Sequence, residues 1–210
     1  MNKIMIKLDI KYSLEYERER IKNTLNEAGW FIENGYSNWI KLPAGKKLEE
    51  IDVKTSEKYL LDTAQEEYVD DDYEKIRGLI NEQWFKFAPK LERYFAETLL
   101  KPEEIYVVQI TKYGVGGSYH VPNTVILNFN NKSELALFRN TIHEIIHLSI
   151  QSFINEYKIS HWIKERIVDQ IFQKIDPELG IMQKRDIDTK SVDLAFEKYY
   201  PKIEELIKNI

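Results

Sequence analysis

His143 and His147 are two of the four histidines in this chain of 210 residues, and they stand four apart with Glu144 directly after the first. Around the string His143-Glu144-Ile145-Ile146-His147, apolar residues recur at helical spacing (Leu135, Phe138, Ile142, Ile145, Ile146, Ile150), which predicts a helix over residues 133–152. Ser133 is placed to cap that helix, and Glu134 falls in its first turn, where the helix dipole favours a carboxylate. Two residues four apart on a helix share a face, so both imidazoles can reach one metal ion. Glu144 lies about 100° round from His143, near enough to touch a water at that ion without ligating it. Zinc in such a site needs a third protein ligand and an open position.

A polar break at residues 155–160 separates this helix from a second helix-like run over residues 161–172. There Glu165 and Asp169 are again four apart, with Val168 and Phe172 on the same side. Two carboxylates on a partly apolar face are costly unless something pairs with them, and a metal ion with its histidines would do so. At this point the chain resembles the gluzincins, the thermolysin-like branch of the zinc peptidases, whose pattern is this histidine motif, a short connection and a glutamate-bearing helix with an aspartate one turn later. The resemblance covers residues 100–176 and is strongest over 143–169. It implies that His143, His147 and Glu165 are ligands of one Zn2+, that Glu144 is the general base, and that Asp169 orients a ligating histidine. It further implies a zincin-like catalytic unit and a peptide or protein substrate cut by endo- or aminopeptidase action; with no exposed-amine recognition motif of the aminopeptidase kind visible, endopeptidase activity is slightly preferred. The residues alone leave other readings open: the histidines could be core residues bonded to backbone or carboxylate partners, and Glu165 and Asp169 could be a solvated face paired with Lys164 or Arg166.

The rest of the chain bounds this reading. The length suits one good-sized core, or a core domain with a smaller attached part. A net charge of −5 with no basic cluster argues against nucleic acid or an anionic membrane as the main partner. No run approaches the apolar length of a membrane span, and residues 1–10 lack the pattern of a signal peptide, so the cytoplasm is the expected compartment. With no cysteine there is neither a disulfide framework nor a cysteine-switch zymogen. The oligomeric state is not legible.

The expected fold class is α+β, with a small N-terminal α/β unit over residues 1–70 attached to the zincin-like domain over 71–210. Residues 3–11 alternate apolar and charged, as a half-buried strand does. Ser13 caps a helix ending near Gly29, and residues 30–42 read as a hairpin turning at Asn34-Gly35. Residues 46–68 are ambiguous, with a strand followed by a short helix as the reading considered. The acidic run around Asp70-Asp71-Asp72 lacks the ligand order of a calcium loop and reads as a solvated lead into the next helix. That helix, residues 73–100, carries a core stripe of Ile76, Ile80, Trp84, Phe87, Leu91, Phe95 and Leu99, with Pro89 expected to bend or split it. Residues 105–111 and 124–130 read as strands joined by a glycine-rich connection, which has no lysine or helix start where a phosphate cradle needs one. In the gluzincins the strand before the zinc helix edges the cleft. By position, Val125, Leu127 and Asn128 would bind substrate backbone by strand addition. A last helix starts at Asp188 or Ser191 and meets Pro201.

In thermolysin-like enzymes a tyrosine after the second zinc histidine and a later histidine stabilise the oxyanion. Tyr157 is in the matching connection and is the expected donor, but His161 is the last histidine, so the later one has no counterpart. Either His161, His120, Tyr199 or Tyr200 substitutes, or activity is weak. Three readings follow: a zinc peptidase, a zincin-fold zinc-binding regulatory protein with little or no activity, and a structural protein whose histidine helix is accidental. The N-terminal unit could also plug the cleft and hold an enzyme latent.

Overall fold

The computed structural model describes residues 6–36, 53–130, 132–183 and 188–210, with side chains from residue 56 in the second of these segments. The chain is α+β: among the described residues a four-stranded mixed sheet has helices packed around it. Strand β1 (Lys7–Lys11) leads into α1 (Leu14–Asn26), whose first turn is capped by Ser13 Oγ accepting from the Tyr16 amide at 3.1 Å.

Residues 30–33 do not form the first arm of a hairpin. They belong to α2 (Ala28–Glu33), and Asn34-Gly35 ends that helix. Gly35 is left-handed, its amide bonds Ile32 O, and the Tyr36 amide bonds Phe31 O, which is the double closure of a glycine-terminated helix. The asparagine side chain adds a bond to Trp30 O. The same dipeptide suits a hairpin turn and a helix stop, and the burial of Phe31 favours the helix. The second arm expected at 36–42 lies outside the described residues beyond Tyr36, as does the strand considered before residue 53. From there the chain is helical through α3 (Val53–Glu67).

Helix α4 (Asp70–Thr98) takes the three aspartates into its own first turn and runs unsplit through Pro89. An internal proline costs about 3 kcal/mol. It removes the partner of the Phe85 carbonyl, on a face where Phe85 and Pro89 are both exposed. Trp84, Phe87, Leu91, Tyr94 and Phe95 are buried on either side of Pro89 and hold the two halves in line.

Strands β2 (Ile105–Thr111), β3 (Gly117–His120) and β4 (Thr124–Asn128) complete the sheet in the order β1-β2-β4-β3. β1 and β4 flank β2 in parallel, and β3 pairs antiparallel with β4, Gly117 opposite Leu127 and Tyr119 opposite Val125. The expectation that β4 is the open edge is therefore wrong. The glycine-rich stretch folds back as a strand and covers it, and among the described residues β3 is the edge instead. Val125 and Leu127 are fully buried, and Asn128 Nδ2 bonds Gly114 O, so these three build the sheet and cannot pair a peptide.

The main core lies between the sheet, α4, α5 (Glu134–Glu156) and α6 (His161–Ile175), closed by α7 (Lys190–Tyr199) and α8 (Ile203–Lys208). α7 and α8 are separate helices broken at Pro201. A smaller core of Ile21, Leu25, Phe31, Leu60, Ala64 and Tyr113 ties α1, α2 and α3 to the end of β2. Among the described residues no helix is long and apolar enough to cross a membrane.

Candidate metal centre

α5 is a helix for the reasons its sequence gives: Ser133 Oγ accepts from the Ala136 amide, and Ile142, Ile145, Ile146 and Ile150 are completely buried. Because those isoleucines seat the helix on the sheet, His143 and His147 are turned towards α6. There Glu165 meets them from the adjacent helix. His143 Nε2 stands 3.0 Å from His147 Nε2 and 3.2 Å from Glu165 Oε2, and His147 Nε2 stands 3.3 Å from Glu165 Oε1. Together the three residues could hold a metal ion.

The donor chemistry fits such an ion. A single ring proton can serve one of these three contacts, whereas a cation at their centre serves all three. Ligand atoms around a tetrahedral ion with bonds of about 2 Å are separated by about 3.3 Å, close to the spacings here. Burial holds the His147 imidazole down at about 4, so it is neutral with a lone pair to give. Burial would also depress His143, but the Glu165 hydrogen bond and the charges of Glu144, Glu165 and Asp169 outweigh it and raise it. Burial pushes Glu165 up, yet the two histidines pull it further down, and it is held ionised.

Asp169, one turn after Glu165, faces His143 Nδ1 from 3.8 Å, a charge contact too long to be a hydrogen bond. Its oxygens are held by the Gln183 amide at 2.8 Å and side chain at 3.3 Å. The other ring nitrogen of His147, Nδ1, is buried with no hydrogen-bond partner, and the ring is instead stacked on Tyr119 at 4.9 Å.

Glu144 points to the other side of the same cleft, against β3. A Cβ on Gly117 would stand 2.4 Å from Glu144 Oε1, so only glycine lets the carboxylate in there. Burial raises Glu144 to about 7, opposed by the charges of His143, Lys164 and Arg20. Arg20, from α1, is itself 6% exposed and packs against the left-handed Gly114.

The cleft has a volume of about 460 Å³. β3 and α5 form its floor, α6 one wall, and Trp30, Phe31 and Tyr36 of the α2 region another. His161 belongs to it: Nδ1 is 3.9 Å from Glu165 Oε1, and Nε2 is 3.1 Å from the Tyr36 hydroxyl. Tyr157 does not belong. It caps α5 ten residues beyond His147, which is about 15 Å along the axis and roughly 80° off the ligand face. Its hydroxyl faces Glu204 at 3.4 Å. His120 is exposed, Tyr199 bonds Asn209, and neither Tyr199 nor Tyr200 lines the cleft.

Two residues that the sequence did not single out stand where Tyr157 was expected. Tyr119 lies beside His147, and Lys164 Nζ donates to the Tyr119 hydroxyl at 3.0 Å and stands 3.7 Å from Glu165 Oε1. Tyr119 was hidden in a glycine-rich stretch that does not alternate. Lys164 carried a signal, since it immediately precedes Glu165, but it read as a solvent-facing charge. Comparison with protein-family models, curated proteins and solved structures finds no match to this chain.

Proposed function

We propose that this protein is a zinc-dependent peptidase of gluzincin type. The observation that carries the proposal is the convergence of His143, His147 and Glu165 from two helices, with Glu144 buried beside them in one cleft. Two imidazole nitrogens and one carboxylate form a donor set suited to zinc with an open position. When bound, the ion supplies Lewis acidity, which acidifies water and polarises a carbonyl.

The chain's own residues do the rest. Glu144, held near neutrality by burial, takes the proton of the attacking water and returns it to the leaving amine. Lys164 Nζ is the donor beside the metal group and stabilises the developing oxyanion, the role expected of Tyr157; Tyr119, whose hydroxyl accepts from Lys164 and donates to Gln151 at 2.5 Å, positions it. The outer side of β3, which has no strand against it among the described residues, pairs the substrate backbone in extended form, the role expected of β4.

A zinc-binding module without hydrolytic activity is the second reading, favoured by the want of any histidine after His161. One experiment decides between them. Protein purified without added metal or a histidine tag is analysed for metal, and for cleavage of a random peptide library read by mass spectrometry. The expected result is one zinc per chain, lost in His147→Ala, with cleavage that falls by about 10²- to 10⁴-fold in Glu144→Gln at unchanged zinc content. Zinc without cleavage in the wild type would establish the second reading. No metal uptake would end both.

A further inference from the structure

The charges of the cleft are divided. Glu144, Glu165 and Asp169 gather at the metal group, while Lys132 and Arg139 line the cleft beyond it. Arg139 precedes His143 by four residues on α5, so its stem leaves the same face of the helix about 6 Å along the axis. Its Nε is enclosed and bonded to nothing, and among the described residues the guanidinium has no carboxylate partner. Lys132 Nζ lies 3.7 Å from the point where a Cβ on Gly116 would stand. Asn140 Nδ2 lies 3.2 Å from that point and donates to Gly116 O. The third cation lining the cleft, Lys164, is already engaged by Tyr119 and Glu165. Among the described residues, then, no carboxylate answers the positive charge of Lys132 and Arg139.

An enclosed guanidinium nitrogen without an acceptor is costly, and its planar fork matches a carboxylate in two parallel bonds. We propose that Arg139, assisted by Lys132, is a specificity subsite for a substrate carboxylate, an inference that rests on the peptidase reading above. An extended peptide advances about 3.3–3.6 Å per residue, so one helical turn from His143 corresponds to one or two residues from the bond cut. The carboxylate is either the α-carboxylate of a peptide C-terminus or the side chain of an aspartate or glutamate near the cleavage point. The first source makes the enzyme a carboxypeptidase and the second an acid-directed endopeptidase.

The test uses random octapeptides in three forms: free C-terminal acids, C-terminal amides, and amides made without aspartate or glutamate. Each is scored for cleavage by the wild-type enzyme, and for retention on the immobilised full-length Glu144→Gln protein. The carboxylate-free amides are expected to be cleaved and retained roughly 30-fold less than the best form. That gap is expected to shrink to under about threefold in Arg139→Gln and to persist in part in Arg139→Lys. Lys132→Gln, an exposed substitution that leaves folding alone, narrows it by a smaller factor. Loss of preference on amidation alone assigns the α-carboxylate; persistence in amides that contain acidic residues assigns the side chain. Cleavage of all three forms alike overturns the subsite and leaves the peptidase reading standing. Arg139-dependent retention without any cleavage keeps the subsite and overturns hydrolysis. Neither retention nor cleavage overturns both.

Discussion

His147 meets its neighbours with one ring nitrogen and has no hydrogen-bond partner for the other, whereas His143 has Asp169 behind it. The two imidazoles are thus unequal. A carboxylate behind a ligating histidine fixes the ring and raises its basicity, and losing such a partner typically costs 10–100-fold in metal affinity. Asp169 has no hydrogen bond to His143 in this structure, only a charge contact at 3.8 Å, so the lower end of that range applies. Asp169→Asn keeps the shape and removes the charge. We expect zinc affinity to fall about tenfold, read by competition with a chromophoric chelator. An unchanged affinity would mean that Asp169 serves only to hold Gln183.

At the scale of elements, the site is two helices set against an edge strand, and β3 contributes by lacking a side chain. Glu144 lies where a Cβ on Gly117 would be, so Gly117→Ala must push the carboxylate aside. The alanine meets the end of a flexible side chain, so stability should change by no more than about 1 kcal/mol. A general base displaced by an ångström can cost about 100-fold. We expect kcat/KM to fall 10- to 100-fold with zinc content unchanged, measured by kinetics and elemental analysis on one preparation. The helices of this arrangement were legible in the sequence, because Ser133, the isoleucine stripe and the carboxylates four apart all obey one helical period. The strand was not, because residues 117–120 carry neither alternation nor β-branched residues and become a strand only by pairing with β4. The misplacement of Tyr157 has the same origin: chain order put it between His147 and Glu165, whereas helical rotation carried it off the face of His143 and His147. Arg139 stands four residues before His143 and Lys164 directly before Glu165, but that these two and Lys132 line one cleft depends on how α5 and α6 pack, which chain spacing does not give.

Across the whole molecule, one buried polar cluster helps to join the small N-terminal core to the large one. Glu17 of α1 is 1% exposed, and it accepts from the Tyr73 hydroxyl of α4, the Thr111 hydroxyl at the end of β2, and the Lys112 amide at 2.8 Å. β1 precedes the same helix and forms the far edge of the sheet. The junction therefore rests on one carboxylate with three donors. Glu17→Ala strands those donors at about 1–3 kcal/mol each, offset where water enters the space, so we expect a loss of about 3 kcal/mol in denaturant unfolding. Glu17→Gln should cost far less, because its oxygen can accept from Tyr73 and Lys112 while its amide donates to Thr111. Burial raises Glu17 in the folded protein, against the lowering effect of those same hydrogen bonds. The sign then follows from linkage. An acid whose folded value exceeds its unfolded value binds protons more tightly in the native state, so stability is greatest below the unfolded value and falls as pH rises through the folded one. In Glu17→Gln that decline should flatten over the mildly acidic range while the rest of the pH profile is kept. Parallel slopes for the two proteins there would show that Glu17 titrates alike in both states and that the junction draws its strength from the apolar contacts around it.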